Sequence, residues 1–133
     1  MCPRLIGSAG GAIKTAILLV DDDLLLLAIN AELLSELGYT VTTARNGSEA
    51  LTILGNGHAV HALVTDLQMP GLHGFELARR ARSLRPSLTI LYLTGHPELS
   101  AGEMGQALGP VLSKPCTAER MHHDIERMHA PTS

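Results

Sequence analysis

The chain has 133 residues, of which 45% are hydrophobic and 17% charged, and a formal net charge of −3. That length fits one domain of ordinary size with a core of its own, and the composition lies well away from the polar, highly charged regime of disordered chains. A negative balance gives no general attraction to nucleic acid or to an anionic membrane, so no direct nucleic-acid partner is expected.

Cys2 and Cys116 stand far apart and suit neither a disulfide framework nor a zinc site with close ligand spacing, so a reducing, cytoplasmic setting is expected. Residues 1–14 carry scattered apolar residues and a Gly-Ser-Ala-Gly-Gly run, and read as a flexible N-terminal tail rather than a signal peptide. The longest apolar stretch, residues 16–29, is interrupted by three aspartates. A bilayer-spanning helix needs about 20 nearly uncharged residues, so no membrane association is expected. One domain over residues 15–129 remains, followed by a short tail at 130–133.

Ala16-Ile-Leu-Leu-Val20 is a wholly apolar run ending in carboxylates, the pattern of a parallel strand covered on both faces. Residues 24–37 predict a helix that stops at Gly38. Aligning Leu26, Ile29, Leu33 and Leu37 inward leaves Leu25, Leu27 and Ala28 partly outward. Residues 39–44 alternate and are rich in β-branched side chains, as on a sheet edge. Asn46-Gly47 breaks that strand, and residues 48–54 predict a second, short helix ended by Gly55-Asn-Gly57. A third strand over 60–65 delivers Asp66 at its exit.

Beyond Met69-Pro70-Gly71 the spacing predicts a helix over 74–84, with Phe75, Leu77, Ala78 and Ala81 inward and Arg79, Arg80 and Arg82 on the solvated side. A buried strand follows at 88–93, then a weak, glycine-broken helix over 98–108, a short strand at 111–112 and a last helix over 117–128. Strands alternating with helices through short loops require right-handed crossovers. The expected fold is therefore α/β, a flavodoxin-like (βα)5 doubly wound parallel sheet with strand order 2-1-3-4-5.

Ligands of such a sheet sit beyond the carboxyl ends of its strands, near the point where strand order reverses. The first strand exits there into Asp21-Asp22-Asp23, the third into Asp66, the fourth into Thr94-Gly95 and the fifth into Lys114-Pro115. Carboxylates gathered at one rim repel one another unless a cation neutralises them, and hard oxygen ligands without histidine or thiolate favour magnesium. A carboxylate can attack phosphorus to form an acyl phosphate, and the loose transition state needs metal and ammonium charge more than covalent help. Asp66 and Lys114 suit the roles of nucleophile and cation, and the Thr94 hydroxyl can hydrogen-bond the new phosphoryl oxygens.

The blocks Ile17-Leu-Leu-Val-Asp-Asp-Asp23, Asp66-Leu-Gln-Met-Pro-Gly71 with Gly74, Leu93-Thr-Gly95 and Lys114-Pro115 resemble the signature of response regulator receiver domains, in order and over residues 15–129. The resemblance implies a magnesium-dependent phosphoacceptor rather than an enzyme, one that assists its own phosphorylation and dephosphorylation. It implies Asp66 as acceptor, Asp22 and Asp66 as direct metal ligands, Asp21 as a metal contact through water, and a metal bond from the Gln68 backbone carbonyl. Thr94 becomes the switch hydroxyl, and Lys114 pairs with phosphate ahead of a cis Pro115. The implied partner is a sensor histidine kinase or histidine phosphotransfer protein docking on the first helix, whose leucines otherwise simply pack on neighbouring loops. A monomer or weak dimer is expected.

Asp23 fits a helix cap better than a ligand. Where receivers commonly carry Tyr or Phe, three residues before the lysine, this chain has Val111. Thr94-Gly-His96 and the weak helix at 98–108 are similar to receivers of hybrid sensor kinases and phosphorelays, while Met1 and the lack of an effector domain favour a stand-alone regulator. His96 lies near enough to the site to influence water access. The other histidines, His58, His61, His73, His122, His123 and His129, form no ligand motif and read as solvated surface. A phosphatase of the haloacid dehalogenase type would need a second acid two residues after its nucleophile, where Gln68 stands. The alternative is a receiver-like interaction module that works without phosphorylation, a class marked by loss of the acids or lysine that this chain keeps.

Overall fold

A computed structural model describes residues 15–96 and 107–129, built as β1 (Ala16–Val20), α1 (Leu24–Glu36), β2 (Thr40–Ala44), α2 (Gly47–Gly55), β3 (Ala62–Asp66), α3 (Gly74–Leu84), β4 (Thr89–Thr94), β5 (Val111–Ser113) and α4 (Ala118–His129). The five strands are parallel throughout and lie in the order β2-β1-β3-β4-β5, as expected. The expectations for 1–14, for 130–133 and for residues 97–106 of the weak helix fall outside the described residues. Ala107 and Leu108 are described, and neither is helical.

Alternation along the strands divides the core into two layers. Leu18, Val20, Leu63, Ile90 and Tyr92 pack with Leu54, Phe75, Leu77, Ala78 and Ala81 under α2 and α3. Ile17, Leu19, Val64, Leu91 and Leu93 pack with Leu27, Leu34, Met121 and Ile125 under α1 and α4. Burial of both faces explains the unbroken apolar runs of β1 and β3, while β2, on the edge, exposes Thr40 and Thr43.

The helix ends follow from identifiable side chains. Asp23 caps α1, its Oδ1 accepting the Leu26 N–H at 3.1 Å, and Asn46 caps α2, accepting the Glu49 N–H at 2.8 Å. Thr117 Oγ1 accepts the Arg120 N–H at 3.1 Å at the start of α4. His58, His61 and His123 are exposed, in keeping with the solvated reading, whereas His73 and His122 are half-buried, and three of the histidines make specific hydrogen bonds. His73 Nδ1 accepts the Phe75 N–H to cap α3, His61 Nδ1 accepts the Ala16 N–H at 2.8 Å, and His122 Nδ1 lies 2.6 Å from the Tyr39 hydroxyl.

The face of α1 also needs correction. Leu27, expected outward, is buried with Asn30 and Leu34, whereas Ile29, Leu33 and Leu37, expected inward, are exposed; Leu25 faces outward as expected, at 73% exposure against 5% for Leu27. A helix beginning with four consecutive leucines offers apolar residues on every side, so periodicity cannot phase it. The inward choice goes to the stripe that meets Tyr39 and the α4 residues Met121 and Ile125. In α3 the apolar side chains face inward as expected and Arg79 and Arg80 pair with Glu76 in solvent, but Arg82 is half-buried.

Candidate functional site

Parallel strands of similar register end at one rim, which places the residues following β1, β3, β4 and β5 around a single depression. Asp66 closes β3 beside Leu93 of β4, and Lys114 follows β5 with its N–H donating to the Thr94 carbonyl at 2.7 Å. The Lys114–Pro115 peptide is cis. Carboxylate oxygens of Asp21, Asp22 and Asp66 lie within 4.8 Å of one another. Asp21 and Asp66 are buried, and Asp22 opens to solvent.

The loop after Asp66 owes its path to two glycines. Gly71 has φ +86, a left-handed conformation that side chains with a Cβ rarely adopt. A Cβ on Gly74 would stand 2.6 Å from the Asp66 carbonyl oxygen and 2.8 Å from Leu67 Cα, so only glycine lets α3 start this close to the strand end. The Gly74 N–H donates to the Leu67 carbonyl at 2.9 Å and closes the loop.

Lys114 Nζ donates to Asp21 Oδ2 at 3.0 Å and stands 3.4 Å from Asp66 Oδ2. The other Asp21 oxygen accepts the Asp23 N–H at 3.0 Å, so both Asp21 oxygens are engaged within the chain. Burial pushes the Asp66 carboxyl up to about 6; Lys114 opposes the rise, and the charges of Asp21 and Asp22 add to it. Burial pulls the Lys114 ammonium down, but its hydrogen bond to Asp21 and the charge of Asp66 outweigh this and raise it overall, so the ammonium keeps its proton at neutral pH.

Of the residues expected at the site, Asp21, Asp22, Asp66 and Lys114 meet here, while Gln68 follows Asp66 on the loop and Thr94 ends the neighbouring β4. Asp23 turns away to its capping role, and the exposed His96 reaches the site through its backbone, donating its N–H to Thr94 Oγ1 at 3.0 Å. One contact goes beyond the sequence reading, which gave Gln68 a role only through its backbone. The Thr94 hydroxyl donates to Gln68 Oε1 at 2.7 Å. The signal available for it was a carboxamide two residues past a strand-end acid, next to a neighbouring strand that ends in a hydroxyl.

Val111, at the common aromatic position, is paired across the sheet with Tyr92 of β4. Tyr92 is fully buried, meets Phe75 edge-on at 5.0 Å between ring centres, and accepts the Leu108 N–H on its hydroxyl at 3.1 Å. An aromatic ring thus stands one strand over from where it was missed.

Among the described residues, no helix is long and apolar enough to cross a membrane. Residues 17–126 match the family model described as response regulator receiver domain. The chain is 35% identical over 114 residues to the response regulator receiver protein CpdR of Brucella abortus (strain 2308), covering 84% of this chain and 94% of that one. It is 37% identical over 116 residues to the response regulator MprA of Mycobacterium sp. (strain KMS), covering 86% of this chain but only 49% of that relative's length. Among solved structures it is similar to the response regulator TrrA of Thermotoga maritima in complex with Mg(2+)-BeF, with a TM-score of 0.74 and 28% identity over 86% of this chain and 98% of that one. Five parallel strands in this order, with an acidic pocket at their carboxyl rim and a family match over most of its length, make this chain a member of the response regulator receiver domains of two-component signalling.

Proposed function

We propose that Asp66 accepts a phosphoryl group from a sensor histidine kinase or a histidine phosphotransfer protein in a magnesium-dependent phosphorelay. The observation that carries this reading is the convergence of three carboxylates and one ammonium from three separate strand ends on one pocket. Burying two carboxylates beside a third is costly for stability, and a phosphoryl-transfer site has a use for that arrangement.

The donor set fits magnesium. It is all hard oxygen, and the exposed Asp22 beside buried Asp21 and Asp66 suits an ion that keeps several of its waters. Asp22, Asp66 and the Gln68 backbone carbonyl would hold it directly. Asp21, with both oxygens already engaged, would reach it through water. When bound, the ion would neutralise the carboxylates and offset charge on the phosphoryl oxygens.

The chain's own groups supply the rest. An ionised Asp66 oxygen attacks phosphorus, the bond from phosphorus to the donor breaks, and the leaving group departs on the far side. Lys114 moves its charge from Asp66 to a phosphoryl oxygen, and the Thr94 hydroxyl donates to another. The chain thereby assists its own phosphorylation and, with water as nucleophile, its own dephosphorylation.

The receiver spans residues 15–129 and works in the cytoplasm as a monomer or weak dimer. Its kinase or phosphotransfer partner docks on α1 and its C-cap, where the outward Leu24, Leu25, Ile29, Leu33 and Leu37 lie just beyond Asp22 and the capping Asp23. Incubation with magnesium and acetyl phosphate, read by intact mass, tests the central claim. The wild type should gain one phosphoryl group and Asp66→Asn none; equal labelling of both would overturn it.

A further inference from the structure

The Thr94 side chain is fully buried, and its hydroxyl has one proton to give and two lone pairs to accept with. The proton goes to Gln68 Oε1 at 2.7 Å, and one lone pair takes the His96 N–H at 3.0 Å. A phosphoryl oxygen is an acceptor and needs that same proton. Thr94 therefore cannot hold Gln68 and a phosphoryl group with the one hydrogen bond.

We infer that the Gln68 side chain is a resting-state latch, competing with the phosphorylated Asp66 for the Thr94 hydroxyl. This rests on the phosphoacceptor reading above and adds a regulator to it. The backbone and the side chain of Gln68 then have separate and opposed effects. The carbonyl lies on the loop that follows Asp66, while the carboxamide takes the proton of the neighbouring strand's hydroxyl. Phosphorylation must release the carboxamide, which links occupancy of Asp66 to the conformation of the loop at 67–73. Gln68 acts through Thr94 and is a positioning residue in this sense.

The test is the affinity for beryllofluoride, a phosphoryl mimic, measured by calorimetry with saturating magnesium. Gln68→Met keeps the length of the side chain and the backbone carbonyl but replaces the carboxamide oxygen with a thioether that accepts only weakly. It should bind about two- to tenfold tighter than the wild type, the range of one neutral hydrogen bond released from competition. In a Thr94→Val background there is no hydroxyl to compete for, so the same substitution should give no gain. Gln68→Leu repeats the comparison with a different shape, and circular dichroism checks that each variant is folded. No gain in the Thr94 protein, or an equal gain in both backgrounds, would overturn the latch while leaving the phosphoacceptor reading intact. A wild type that fails to bind the mimic would remove that reading, and the latch with it.

Discussion

The acidic rim and the outer face of α1 break the same rule in opposite directions. At the rim, Asp21 and Asp66 are buried; one turn away along the chain, Leu24 and Leu25 lie in water at 55% and 73% exposure. Both departures cost stability, through desolvated charge in one case and wetted hydrocarbon in the other. Departures that local packing does not explain mark surfaces kept for something other than folding. The rim closes on itself, because Lys114 partners two of its acids, whereas nothing among the described residues covers the leucines. On the function proposed above, one region holds chemistry within the chain, and the other presents a surface to a partner.

Adjacent leucines of α1 should respond very differently to the same substitution. Leu34 is fully buried between the sheet and α4, and Leu33 is 41% exposed. Leu34→Ala should lower unfolding free energy by about 2–5 kcal/mol in urea titrations, while Leu33→Ala should stay within about 0.5 kcal/mol of the wild type. On the partner side, Ile29→Glu should weaken binding to the cognate kinase about tenfold or more without lowering the melting temperature. Unchanged affinity would mean that the exposed stripe is not the docking face.

The same contrast explains what the sequence made legible. Asp21, Asp22, Asp66, Thr94 and Lys114 could be assembled because parallel strands deliver their C-terminal residues to one rim, so strand ends alone sufficed. Likewise α3 revealed its inner face, since arginines and a glutamate alternate there with alanine, leucine and phenylalanine. In α1 leucine occupies both faces, and orientation is fixed by Tyr39, Met121 and Ile125, which are distant in sequence. The Gln68–Thr94 bond was equally hidden, because it depends on a side-chain conformation across the β3–β4 register. The three structural histidines follow the same logic: their partners are a helix end, a strand start and a tyrosine, and no sequence spacing identifies them.

The unfavourable charge stored at the rim has a smaller, pH-dependent effect on stability. Burial first, and the neighbouring acids after the opposing Lys114, leave Asp66 at about 6 in the folded chain against an ordinary value of 3.8. A carboxyl raised on folding binds more protons in the native state, so it costs nothing below about pH 3.8 and its full penalty above about pH 6. Without divalent ions, Asp66→Asn should therefore be more stable than the wild type at pH 7.5 by about 1–2 kcal/mol, after discounting for water at the pocket mouth. The advantage should vanish as pH falls towards 4. Thermal unfolding in EDTA across that range measures it, and millimolar magnesium should narrow the gap at pH 7.5 by stabilising only the wild type. A gain independent of pH would mean that the acid's charge is not what destabilises the rim.

The control for that sign is a buried polar group outside the pocket. The Tyr92 hydroxyl is as inaccessible as the acids but neutral at ordinary pH and satisfied by the Leu108 N–H at 3.1 Å, and burial pushes its ionisation further up. Tyr92→Phe keeps the ring against Phe75 and removes only the oxygen, leaving the Leu108 N–H without its acceptor. It should destabilise by about 1 kcal/mol, the loss of one neutral hydrogen bond, with no dependence on pH between 4 and 8 or on magnesium. Opposite signs for Asp66→Asn and Tyr92→Phe would show that the rim, and not burial of polar atoms in general, carries the penalty. If Tyr92→Phe stabilised the chain as well, burial of polar atoms would explain both, and the rim would lose its claim to be energetically special.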